Sequence, residues 1–159
     1  MIAPIETRYG GRLYRSRTEA RWAVALTVAE ITFEYEHEGF DLPCGHYLPD
    51  FWLPETKMWL EVKGVEPTKH ENLKCDYLAR ETGFPVMLVI GAPREEYPYP
   101  EYYMGDTIGT RREGFCDYQT TFELPHRAYV AALSERFDGR PKRTSEGDQS
   151  ARRYSQRFW

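Results

Sequence analysis

The sequence predicts a mixed α/β fold, and three stretches of its 159 residues carry that prediction. A capped helical pattern opens at Ser16, two apolar runs flank the turn Pro54-Glu55-Thr56-Lys57, and a second capped helix leads directly into the apolar run PVMLVIG. Together they read as helix, three-strand meander, helix and strand, with a further helix near the C-terminal end. The length suits one domain with one core and one site.

Residues 1–15 carry Pro4 and the Gly10-Gly11 pair without a sustained period and read as an extended N-terminal arm. Ser16 followed by Glu19 has the form of a capping box, and Trp22, Ala23, Leu26 and Ala29 recur at helical spacing, so a helix is expected over 17–30. Ile31, Phe33 and Tyr35 then alternate with Thr32, Glu34 and Glu36, the period of two of a half-buried strand. The stretch HYLPDFWLPETKMWLEVKG predicts a hairpin with strands over 46–53 and 58–63.

Behind Pro67, Thr68 and Glu71 repeat the capping form; with Leu73, Tyr77 and Leu78, and Gly83 as a stop, they predict a helix over 68–82. The run that follows reads as a buried strand over 85–91. Residues 92–124, rich in Pro, Gly and Tyr, read as a long surface excursion without another regular element. A helix over 125–136 closes a domain spanning 16–136, and 137–159 form a polar, Arg-rich, flexible tail.

Composition excludes a membrane protein: 41% of residues are hydrophobic, 29% are charged, and no apolar run approaches the roughly 20 residues a bilayer requires. The first twenty residues lack the apolar stretch of a secretory signal, so a cytoplasmic location with reduced thiols is expected. Cys44, Cys75 and Cys116 are odd in number and far apart, which suits neither a disulfide framework nor a zinc site; they read as packing residues.

A formal net charge of −4 looks wrong for a protein that grips phosphates, but its distribution matters more. Residues 1–21 carry +3, residues 137–159 carry +3, and the segment between them carries −10. An acidic centre suits carboxylates gathered around a divalent cation, and Arg-rich ends suit a nucleic acid backbone; a solvated surface is the plainer reading.

With the hairpin turn centred between Glu55 and Thr56, the cross-strand pairing puts Asp50 opposite Glu61 and Trp52 opposite Trp59. Side chains alternate along a strand, so Lys63 shares the face of Glu61 while Val62 points away. Opposed carboxylates repel, which a sheet tolerates when a hard cation such as magnesium or manganese lies between them. Asp50 and Glu61 are therefore candidate metal ligands, with the backbone carbonyl of Val62 as a further oxygen. Lys63 would orient a water or stabilise charge on a phosphoryl transition state, so hydrolysis of a phosphodiester is the chemistry these parts suit.

These residues resemble the signature of the PD-(D/E)XK, or restriction-endonuclease-like, nuclease superfamily: Pro49-Asp50, ten residues, then Glu61-Val62-Lys63. The likeness covers residues 16–91 and includes the order helix, three-strand meander, helix, strand. It implies a magnesium- or manganese-dependent endonuclease or exonuclease acting on DNA, a homodimer or larger nucleoprotein assembly, and a phage, repair or mobile-element setting. It also implies Glu19 as a fourth site residue, whereas the helix pattern makes Glu19 the capping partner of Ser16; the sequence favours neither role. Lys74 and Tyr77 loosely match a pair that some members carry on the second helix.

Arg8, Arg12, Arg15 and Arg17 are the candidates for phosphate contacts. Trp22, Trp52 and Trp59 read as core or sheet residues, while Phe158 and Trp159 in the tail suit docking on a partner. Tyr97, Tyr99, Tyr102 and Tyr103 could stack on unpaired bases, although a loop packing on itself is the plainer reading. His37, His46, His70 and His126 show no ligand spacing, with His46 the nearest to the site strand. The alternative to a nuclease is a non-catalytic subunit that keeps the fold and binds DNA or protein.

Overall fold

The computed structural model describes residues 3–95, 101–103 and 124–137. Helix α1 (Arg17–Val28) begins where the sequence places it, with the Ser16 hydroxyl accepting the Glu19 backbone N–H at 3.2 Å. Helix α2 (Lys69–Thr82) has the full reciprocal capping box between Thr68 and Glu71 and ends on Gly83, whose φ of 71° is the left-handed stop. Helix α3 (His126–Ser134) stands within the expected closing segment.

A mixed sheet of five strands lies between the helices, in the order β3 (Glu34–Tyr35), β6 (Phe51–Leu53), β7 (Met58–Lys63), β8 (Val86–Ile90) and β9 (Glu101–Tyr103). Strands β7 and β8 are parallel with α2 as the crossover between them, and the other pairs are antiparallel. The sheet carries apolar residues on both faces. Met58, Leu60 and Val62 of β7 join Phe51, Leu53, Met87 and Val89 in one core with α1 and α3. Trp59, Val86 and Leu88 join Cys75, Leu78 and Ala79 of α2 in the other. Burial on both sides explains the continuous apolar run that surrounds Glu61.

Four expectations need correction. Residues 1–15 are not simply an extended arm: Thr7–Tyr9 (β1) and Arg12–Tyr14 (β2) pair as a hairpin across Gly10-Gly11, and Tyr14 enters the core at 3% exposure. Both glycines have positive φ, 56° and 78°, which a two-residue hairpin turn requires; Gly-Gly was the overlooked signal. The expected strand over 46–53 is broken in two. Residues Gly45–Tyr47 (β5) pair instead with Phe40–Leu42 (β4), and only Phe51–Leu53 pair with β7. Pro49 lies at the break, because it has no N–H to give to a ladder.

The strand expected from Ile31 shrinks to Glu34–Tyr35, with Ile31 and Phe33 packed at the core margin. The excursion over 92–124 does contain a regular element, since β9 pairs with the outer edge of β8. The basic tail beyond residue 137, Cys116, Tyr97 and Tyr99 lie outside the described residues. Among those described, no helix is long and apolar enough to cross a membrane.

Candidate active site

The pairs Phe51–Leu60, Trp52–Trp59 and Leu53–Met58 fix the β6–β7 register at the expected value. That register carries Asp50, one residue before β6, up to Glu61, and the Asp50 backbone N–H approaches Glu61 Oε2 at 3.4 Å. Asp50 stands at a bend outside the β6–β7 pairs, its carbonyl accepting the Glu36 N–H at 2.8 Å and its Oδ2 accepting the backbone N–H of Val62 at 2.8 Å. Asp50 and Glu61 are each 3% exposed.

Glu19, at 7% exposure, is the third buried carboxylate; among the described residues these three are the only charged side chains in the buried class. Two roles of Glu19 coexist in the structure. Its backbone N–H is capped by Ser16, while Oε1 accepts the Ser16 hydroxyl at 2.7 Å and Oε2 accepts a short hydrogen bond from the Tyr35 hydroxyl. The side chain therefore reaches the Ser16 hydroxyl and not the Ser16 backbone N–H that a capping box uses, and its other oxygen turns to Tyr35.

Two cations meet these carboxylates. Lys63 Nζ lies 2.9 Å from Glu61 Oε1 and 3.1 Å from Glu71 Oε1. Arg15 Nη2 donates to Asp50 Oδ1 at 2.7 Å. Arg15 Nε lies 2.5 Å from Glu36 Oε1, a charge contact without hydrogen-bond alignment, and 4.0 Å from Glu19 Oε2. The Tyr35 hydroxyl joins the two halves of this arrangement, accepting the Arg15 backbone N–H at 3.0 Å. Glu71, Glu36 and Tyr35 were not singled out for the site by sequence. Glu71 was legible only as a cap, and its second oxygen reaches Lys63 because α2 starts beside the end of β7.

The electrostatics follow from burial and crowding. Burial, with Glu61 and Glu19 close by, pushes the Asp50 carboxyl well above its usual range, against the pull of the Val62 N–H and Arg15. Burial alone would lower the Lys63 ammonium, but Glu61 and Glu71 outweigh it and hold it charged far above neutral pH. Burial and the Glu61 charge also push up the Tyr47 hydroxyl and the Cys75 thiol, which stand near Glu61. The crowded carboxylates thus stabilise positive charge placed beside them.

Among the described residues, no group of three or more His, Cys, Asp and Glu side chains is arranged to hold a metal ion. The donors still fit a hard divalent cation in kind and number, because magnesium is commonly held by one or two carboxylates together with waters and substrate oxygens. Asp50 and Glu61 would be the two carboxylates. A strand residue sends its N–H and C=O to the same edge, so the Val62 carbonyl leaves β7 on the side of Asp50.

The other candidates are placed elsewhere. Arg8 and Arg12 are exposed on opposite faces of the β1–β2 hairpin, and Arg17 is exposed at the start of α1. Lys74 donates to the His46 carbonyl at 3.3 Å, and Tyr77 lies beside Arg80. His46 pairs with Asp41 at 3.0 Å on the exposed β4–β5 hairpin. Trp22 and Trp59 are buried, and Trp52 packs on Trp59 and Phe84. No protein-family model matches the chain, and no curated protein matches it either.

Proposed function

We propose that this chain is a metal-dependent nuclease of the PD-(D/E)XK type that hydrolyses phosphodiester bonds of DNA. The observation that carries the reading is the burial of Glu19, Asp50 and Glu61 together, beside a lysine on the same strand face. Each buried carboxylate costs several kcal/mol unless compensated, and groups placed at such expense cluster where chemistry needs them.

In this reading Asp50, Glu61 and the Val62 carbonyl hold magnesium or manganese, and Glu19 supports the cluster from α1. When bound, the ion supplies Lewis-acid polarisation of a phosphoryl oxygen and a lowered pKa for a bound water. Lys63, fixed between Glu61 and Glu71, carries its proton at neutral pH, so it stabilises negative charge and orients a water and does not act as a base. The apolar residues beneath, Trp59, Leu88 and Leu78, keep water out from below and strengthen each charge interaction. Arg8, Arg12 and Arg17 are free to meet a phosphate backbone from the exposed hairpin and helix start.

The test is cleavage of linear, circular, single-stranded and branched DNA with magnesium or manganese, comparing the wild type with Asp50→Ala and Lys63→Ala. Cutting that needs the ion, with a loss of roughly 10²–10³-fold in Lys63→Ala as for removal of one transition-state donor, supports the reading. Folded protein that cuts none of these substrates refutes it. One observation favours a second reading, a non-catalytic DNA- or protein-binding subunit of a recombination, repair or phage complex: Arg15 and Lys63 already neutralise Asp50 and Glu61. Such a subunit keeps full DNA affinity in chelator and is indifferent to Asp50→Ala.

A further inference from the structure

Arg15 deepens the nuclease reading, and the inference drawn from it rests on that reading. Asp50 has two oxygens. One is held by the Val62 backbone N–H at 2.8 Å, and the guanidinium of Arg15 takes the other at 2.7 Å. A cation bound to Oδ1 and the Arg15 guanidinium compete, because each brings positive charge against the same oxygen and the two repel.

The structure makes Arg15 a good candidate to yield. Its backbone is anchored, since its N–H donates to the Tyr35 hydroxyl and the next residue caps α1. Its side chain is 51% exposed, and its Nε contact with Glu36 lacks hydrogen-bond alignment. The backbone therefore stays anchored when the guanidinium leaves, and the planar fork that grips a carboxylate matches a phosphate equally well. Exposed Arg12 and Arg17 flank it in sequence and draw a polyanion to this edge.

We propose that Arg15 is a phosphate-operated latch: in the free protein it occupies the Asp50 oxygen that a divalent cation requires, and a nucleic acid phosphate draws it away. The latch keeps the buried carboxylates neutralised in the absence of substrate and makes the ion and the phosphate backbone bind together. Linkage makes the coupling reciprocal, with phosphate raising ion affinity by the factor by which the ion raises phosphate affinity.

Two measurements test it. Manganese binding to wild type and Arg15→Gln is followed by electron paramagnetic resonance without DNA. The variant binds at least about tenfold more tightly, within the range of couplings between linked sites. In the wild type, the Nε–Hε resonance of Arg15 moves to that of a solvated arginine as magnesium is added, and it also moves on addition of a short duplex without metal. Equal manganese affinity in the two proteins overturns the latch and leaves the nuclease reading standing. A resonance unmoved by saturating magnesium does the same, and needs no variant. A resonance that responds to magnesium but not to the duplex overturns the role of phosphate. Failure of both proteins to bind manganese overturns the latch and the metal site together.

Discussion

Replacing Tyr35 with phenylalanine removes one oxygen from the margin of the core and leaves the ring in place. The ring packs on Tyr14 and Phe51, with centroids 4.5 and 5.3 Å away, and those contacts survive the change. The hydroxyl, however, makes two hydrogen bonds, donating to the Glu19 carboxylate and accepting the Arg15 backbone N–H. The bond to a charged, buried partner contributes about 2 kcal/mol and the neutral, part-buried one about 1 kcal/mol, so Tyr35→Phe costs about 3 kcal/mol. For a chain of this size that is a fall of roughly 6–12 °C in Tm, read by calorimetry or by urea unfolding with the slope unchanged. In a Glu19→Gln background the acceptor is neutral and the cost of Tyr35→Phe drops to about 2 kcal/mol, a coupling that a double-mutant cycle isolates. A variant within about 0.5 kcal/mol of the wild type, or one with the same cost in both backgrounds, would refute the bridge between Glu19 and Arg15.

Glu71 and Cys75 carry the remaining predictions. The Thr68 backbone N–H, the Thr68 hydroxyl and Lys63 hold the Glu71 carboxyl down to about 2, so it stabilises the fold above the usual glutamate range and loses that contribution as pH falls toward 2. With the side chain 36% exposed, screening reduces the effect to roughly 1 kcal/mol. Tm measured between neutral and acidic pH should fall less steeply in Glu71→Gln than in the wild type, and parallel curves count against the assignment. Cys75 is fully buried and its thiol is pushed far above the usual value by burial and by Glu61, so peptide mapping after iodoacetamide should find it unmodified in the native protein and modified on unfolding. Cys44, part exposed, is the internal comparison; labelling of Cys75 at the same rate would contradict the packing of α2 on the sheet.

The elements written into the sequence were those governed by nearby residues. Ser16 and Thr68 announce helix starts through their own side chains, Gly83 announces an end, and the β6–β7 register follows from a four-residue turn and a period of two. The juxtaposition of Asp50, Glu61 and Lys63 was legible for the same reason, because it needs only one hairpin and side-chain alternation. The break at Pro49 was legible in principle, as was the hairpin at Gly10-Gly11, since both residues state their backbone preference.

What no local pattern holds is which distant groups meet. Arg15 reaches Asp50 across 35 positions in the chain, and Glu71 reaches Lys63 from another element. The pairing of β9 with β8 depends on an edge that exists only once the parallel crossover has closed. The sequence by itself therefore determined the helices, the hairpin register and the acidic pair with its lysine, because backbone preference and alternation act over a few residues. Only the tertiary structure decided how that pair is neutralised, because burial and charge pairing are set by every element that packs around the site.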